Sequence, residues 1–284
     1  MKRNILITII SCLFIYLLFT KQSIVSISVI NTSKLFLSKV MPTILPFFII
    51  SKVLINYNIP YYIGKLFKNN LYGYIYFMGI ISGCPNNAIM IQDLLSNNII
   101  SIKNANKYIM CSFFSNPLFL YTMLSNIFSI KLTILIILSH YLANLIIYII
   151  KPCKNINITK IKPIKFNILI INSIKKASIL FLNIYITIVL FNIIIALLPI
   201  FLQPFNGLIE LTQGLNYLSQ VSLNINIKII LALIYISFGG LSIIFQTLNI
   251  LSETKIESSL FIKARFYQII ISILIFLTAS IILT

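Results

Sequence analysis

The chain has 284 residues, 59% hydrophobic and 9% charged, with 22 Lys+Arg against 4 Asp+Glu and a net charge of +18. A soluble domain carries roughly 25% charged residues, so this composition and a mean hydropathy of +1.02 exclude that class. Such a charge would suggest nucleic acid in a soluble protein, but most of the basic residues lie between apolar runs, where they set topology and meet anionic head groups.

Met1-Lys2-Arg3 precedes an apolar run from Ile5 to Phe19. No small-residue cleavage site follows, so the run is expected to be an uncleaved first span. A second span is expected from Lys34 to Ile55; its Pro42 and Pro46 kink the helix and free backbone carbonyls. The apolar region Leu71 to Leu95 contains a polar break, Ser82-Gly83-Cys84-Pro85-Asn86-Asn87. Gly83 permits backbone angles closed to other residues, Pro85 suits the first turn of a new helix, and Asn86 and Asn87 supply amides. The pattern predicts a helix that stops, turns and restarts, presenting free N–H groups and a positive dipole end to an anion. A surface loop between two helices is the alternative, but Tyr74 to Ser82 and Ala88 to Ile91 are each too short to span alone.

A polar strip from Ser96 to Lys107 leads to Tyr108–Ile127, interrupted by Ser115-Asn116-Pro117. This is either a structural kink or a bend that sends the Asn116 amide toward a cavity. Another span covers Leu132 to Ile150. Lys151 to Lys176 carries seven lysines and two prolines without an acid, the composition of a connector, placed on the cytoplasmic side by the positive-inside bias.

The second half opens with the apolar run Ala177 to Leu202, followed by Gln203 to Gln220 with Glu210 and Thr212. A carboxylate at membrane depth is a functional-site hypothesis by default, although Glu210 also fits an interfacial helix end. Ile225 to Leu251 holds a second break, Ser237-Phe238-Gly239-Gly240-Leu241-Ser242, followed by Gln246. A charged loop, Glu253 to Arg265, precedes the last span. Asp93 is expected at the surface, and His140, alone in an apolar run, in a packing role.

The fold expected is an all-α polytopic membrane protein of about eight to ten helices, some discontinuous or re-entrant, in two related halves. The first half is residues 1–150, the connector 151–176 and the second half 177–284. Paired breaks in corresponding halves point to a transport site. Its expected lining is Ser82, Gly83, Asn86, Asn87, Asn116, Glu210, Thr212, Gly239, Gly240, Ser242 and Gln246. The four cysteines and single histidine form no zinc pattern, and no nucleophile–base pair or phosphate-binding loop appears. Neither a cofactor nor an enzymatic activity is expected. The expected partners are a small anionic solute and a bilayer with anionic head groups; the number of copies in the assembly stays open.

Several motifs in order resemble the YlbJ-type sporulation integral membrane proteins of the nucleoside-recognition (Gate) domain family. They are Met41-Pro-Thr-Ile-Leu-Pro46-Phe-Phe, Ser82-Gly-Cys-Pro85, Ser115-Asn-Pro-Leu-Phe119, Gly207 to Gly214, Ser237-Phe-Gly-Gly-Leu-Ser242 with Gln246, and Ala264-Arg265. The family's turn continues Pro-x-Gly-Ala where this chain has Pro85-Asn-Asn-Ala88, and its second signature carries a histidine before Gln246. The resemblance implies a multi-pass protein of late sporulation and cortex formation. It further implies movement of dipicolinic acid across the outer forespore membrane. A nucleoside permease and a non-transporting scaffold of the spore envelope are the alternatives.

Overall fold

Glycine, proline and asparagine cut the apolar sequence into short helices, and the computed structural model shows where each piece goes. It describes residues 2–66, 70–153 and 160–283, with the side chains of 2, 3, 43 and 283 also outside the description. Lys154 of the connector therefore lies outside the described residues, as do the side chains of Lys2 and Arg3.

Fifteen α-helical segments are present among the described residues. In the first half these are α1 (Lys2–Thr20), α2 (Gln22–Leu35), α3 (Met41–Asn56), α4 (Ile59–Leu66), α5 (Tyr72–Ser82), α6 (Asn86–Ser96), α7 (Ile102–Met110), α8 (Pro117–Leu124) and α9 (Ile130–Ile150). In the second they are α10 (Phe166–Leu197), α11 (Asn206–Ile209), α12 (Leu211–Gln220), α13 (Ile225–Phe238), α14 (Gly240–Ser252) and α15 (Ser258–Leu283). Four spans are long and apolar enough to cross a membrane, or up to six if each sharply bent pair is one span. The all-α polytopic expectation holds. The segments outnumber eight to ten because every break divides one helix into two.

Several boundaries differ from the sequence reading: α7 and α15 start at Ile102 and Ser258, inside the stretches expected to be a polar strip and a charged loop. Helix begins at Gln22 rather than Lys34, and α2 passes into α3 through a π turn, Phe36–Val40. A π turn ahead of Pro42 accommodates its missing N–H without ending the helix. Helix α10 starts at Phe166, so the last part of the lysine-rich stretch is already helical.

Contacts between segment ends establish the path of the chain. Tyr72 at the start of α5 stacks on Tyr148 near the end of α9, with ring centroids 3.7 Å apart. At the far end of α6, Asp93 pairs with Lys52, and Gln92 Nε2 donates to Glu253 at 3.2 Å. Helix α5 therefore enters from the connector face, turns at the first break, and α6 returns to the same face. This is a re-entrant hairpin.

Helix α7 also starts at the connector face, where Asn106 Nδ2 donates to Glu257 at 3.1 Å and Lys107 to the Pro152 carbonyl at 2.7 Å. It unwinds over residues 111–116 and continues as α8 to the opposite face.

The second half repeats this order upside down. Helix α10 leaves the connector face. A 3₁₀ turn, Ile200–Phe205, leads into α11, which stops at Glu210, and α12 turns back toward the face it came from. Helices α13 and α14 then form one 28-residue span, interrupted only at Gly239–Gly240. Each half thus contains a hairpin and an interrupted crossing, entering from opposite faces.

Candidate functional site

Residues 112–115 lie outside any helix. At membrane depth an unpaired carbonyl costs several kcal/mol, so these groups must find partners elsewhere, and they do. The Met110 carbonyl accepts from Arg265 Nη2 at 3.0 Å, and that of Cys111 from the Tyr72 hydroxyl at 3.3 Å. Ser112 accepts from Asn87 Nδ2 at 2.6 Å, and Phe113 from Asn144 Nδ2 at 2.6 Å and Gln268 Nε2 at 3.3 Å. Phe114 accepts from the Cys84 N–H at 2.7 Å, and Ser115 from the Tyr141 hydroxyl at 2.9 Å. The unwound strand is held by donors from α5, α6, α9, α15 and the first break.

The other breaks close on this strand. Asn116 caps α8, accepting from Leu118 N–H at 2.9 Å and Phe119 N–H at 3.2 Å, while its amide donates to the Ile81 carbonyl at 2.7 Å. Gly83 has φ +70°, and a Cβ there would sit 2.9 Å from the Asn116 nitrogen. Gly239 and Gly240 have φ +85° and +76°; a Cβ on the first would enter the Phe113 ring at 2.2 Å, and one on the second would lie 3.2 Å from the Glu210 Cα. Glycine is required here by both backbone angle and space.

Glu210 is buried at 2% exposure and caps α12. Its Oε2 accepts from the Gln213 N–H at 2.9 Å and also from the Thr212 hydroxyl. Gly83, Pro85, Ser115, Asn116, Glu210, Thr212 and Gln246 surround one cavity of ≈ 70 Å³, closed on its other side by Val40, Ile44, Ile184 and Ile188. None of its lining residues is a lysine, arginine or histidine.

The structure thus gathers Gly83, Asn116, Glu210, Thr212 and Gln246 of the expected lining around one space. It places the other six just behind. Ser82 donates to the Met78 carbonyl at 2.7 Å and to Asn87 Oδ1 at 3.2 Å, and Asn87 spends its amide on Ser112. Gly239 packs on Phe113 and Gly240 on the Glu210 turn. Asn86 and Ser242 are buried, and neither the Asn86 amide nor the Ser242 hydroxyl has a protein partner.

Three helices begin at this cavity, α6, α8 and α12, and α14 reaches it with Ile243 and Gln246. Asn116 caps α8 and Glu210 caps α12, whereas α6 and α14 have no side-chain cap. The unpartnered Asn86 and Ser242 stand in the first turns of those two uncapped helices. Each restarting helix carries roughly half a positive charge at its start, set against the one carboxylate in the lining, Glu210.

Several contributors were not singled out by sequence reasoning. Asn144, Tyr141, Tyr72 and Gln268 supply strand donors, and each looks like an ordinary polar residue within an apolar run. Arg265 is fully buried, stacked 4.2 Å from the Phe113 ring and 5.0 Å from that of Phe261. His140 joins the same network: its Nδ1 is 3.1 Å from Gln268 Nε2 and 3.4 Å from the Ser237 hydroxyl. Asp93 is not the surface residue expected, because its ion pair with Lys52 leaves it only 14% exposed. Lysine from another helix compensates the acid, so it need not stay in water.

No family model and no solved structure matches the chain. It is 34% identical over 117 residues to the sporulation integral membrane protein YlbJ of Bacillus subtilis (strain 168), a stretch covering 37% of this chain and 29% of that protein. The chain thus matches less than a third of that protein's length, and its own apolar spans make it a polytopic membrane protein.

Proposed function

We propose that the chain is a permease that passes a small carboxylate such as dipicolinic acid across the outer forespore membrane. The observation that carries this reading is a cavity beside Glu210 lined by three backbone breaks, with the fourth, Gly239–Gly240, packed behind it on Phe113 and the Glu210 turn. Irregular backbone at membrane depth is tolerated where it is buried in protein or lines a cavity, and transporter sites lie where broken helices of two repeats meet. The two uncapped helix starts, with Asn86 and Ser242 in their first turns, supply donors for two carboxylate groups. Glu210 carries the proton or cation that accompanies the dianion, since a buried carboxylate beside an anionic solute requires one.

A second reading is a nucleoside permease with a Gate domain. The Glu210 carboxylate, in a cavity lined by no basic side chain, favours it, because the carboxylate can accept ribose hydroxyls. Proteoliposome uptake of labelled dipicolinate and labelled nucleosides separates the two. Uptake of dipicolinate that falls in the Glu210→Gln variant supports the first reading. Uptake of nucleosides alone supports the second, and uptake of neither by the intact chain sinks the permease.

A further inference from the structure

A second cavity, of ≈ 360 Å³, lies at the connector face, away from the Glu210 site. Four lysines line it, Lys52, Lys162, Lys175 and Lys176, and its one acid is Asp93. Asp93 is committed to Lys52. Lys162, Lys175 and Lys176 have no carboxylate within ion-pair reach among the described residues, and Lys176 lies close enough to Lys52 to repel it. Three like charges gathered around a cavity without counter-charge disfavour one another and are relieved by an anion.

The cavity is built, not incidental. Asn56 grips the Ile164 backbone on both sides, donating to its carbonyl at 3.2 Å and accepting from its N–H at 3.0 Å. Asn58 does the same to Ile161, at 2.9 and 2.7 Å. These two clamps fix the connector strand against the end of α3 and hold Lys162 between them at the cavity wall. Lys175 and Lys176 interrupt the apolar helix α10 just before Ala177, and lysines flanking an apolar stretch reach the depth of lipid phosphates.

We propose that this cavity is a binding site for a phosphate-bearing anion, supplied at that depth by the head group of an acidic phospholipid. Basic pockets between membrane helices on the cytoplasmic side bind such head groups. The site is independent of solute transport.

The test is native mass spectrometry of the full chain in detergent titrated with phosphatidylglycerol or phosphatidylcholine. It is repeated on a Lys162→Gln/Lys175→Gln/Lys176→Gln variant and on Lys131→Gln, an exposed lysine at the opposite end of the fold. The proposal expects phosphatidylglycerol to be retained over phosphatidylcholine, with affinity falling roughly fivefold for each cavity lysine removed and unchanged in Lys131→Gln. Added inorganic phosphate distinguishes the source: displacement of the lipid assigns the site to phosphate itself, and persistence assigns it to the head group. Equal retention of the two lipids, or equal loss in Lys131→Gln, overturns the proposal. The mutated lysines are exposed, and circular dichroism of the triple variant confirms that it is folded before the titration is read.

Discussion

Asn116 and Ile81 are joined across two breaks: the Asn116 amide donates to the Ile81 carbonyl at 2.7 Å while its oxygen caps α8. One side chain therefore closes a helix end in each of two elements. Asn116→Ala should lower stability by about 2–3 kcal/mol, a lost cap plus a buried carbonyl without a donor. Asn116→Asp keeps the cap and loses the Ile81 bond, so its loss should be smaller. Thermal unfolding in detergent, followed by circular dichroism, ranks the three proteins. Equal stabilities would remove the bridging role.

The second hairpin depends on close approach. A Cβ on Gly214 would lie 2.1 Å from the Gly207 Cα, and one on Gly207 would lie 2.3 Å from the Tyr235 ring. Gly214→Ala and Gly207→Ala should each cost about 1–3 kcal/mol by overpacking. Gly73, exposed on α5, is the control; alanine there should be neutral or slightly stabilising. Melting temperatures that fall equally at all three positions would contradict the close packing.

Arg265 acts as a donor to backbone. Arg265→Met keeps much of the apolar stem but leaves the Met110 carbonyl and the Gln268 oxygen without it. We expect a loss of about 2–3 kcal/mol, the range for a hydrogen bond to a charged group. Lysine should recover only part of it, because it lacks the planar fork. Full recovery by Lys in an unfolding titration would mean that charge alone matters.

Glu210→Gln retains an acceptor for the Gln213 N–H and should fold. Under the permease reading, its uptake of labelled dipicolinate should fall by at least about tenfold, the scale of one lost charge-assisted hydrogen bond. Its residual rate should also be flat with pH where the parent's is not. An unaltered pH profile would exclude Glu210 from proton handling.

Much of the architecture was legible because its punctuation is chemical. Gly83-Cys84-Pro85, Asn116-Pro117 and Gly239-Gly240 disfavour continuous helix, and the short flanks of the first break argued for a hairpin over a surface loop. The unwinding of residues 111–114 was not legible, since Cys111-Ser112-Phe113-Phe114 has ordinary helix-compatible composition. Its geometry is imposed by donors far along the chain, including Asn144 and Arg265. Nor could the sequence pair Lys52 with Asp93, which stand 41 residues apart. Glu210 stood out as an acid in an apolar setting; that it caps a hairpin tip depends on Gly207 and Gly214 meeting in space.

The carbonyls of residues 110–115 are each held by a separate donor, so the unwound strand is bolted into one body with α5, α6, α9, α15 and the first break. The apolar wall opposite, Val40, Ile44, Ile184 and Ile188, belongs to the α2–α3–α10 layer, which has its own core. At ≈ 70 Å³ the cavity is below the roughly 300–1,000 Å³ of a ligand pocket. Under the permease reading, room for a solute comes from sliding one slab past the other, with the seam along α10 as the moving joint. A crosslink between α5 and α8, both within the bolted body, should leave uptake running. A crosslink between α10 and α14 should stop it.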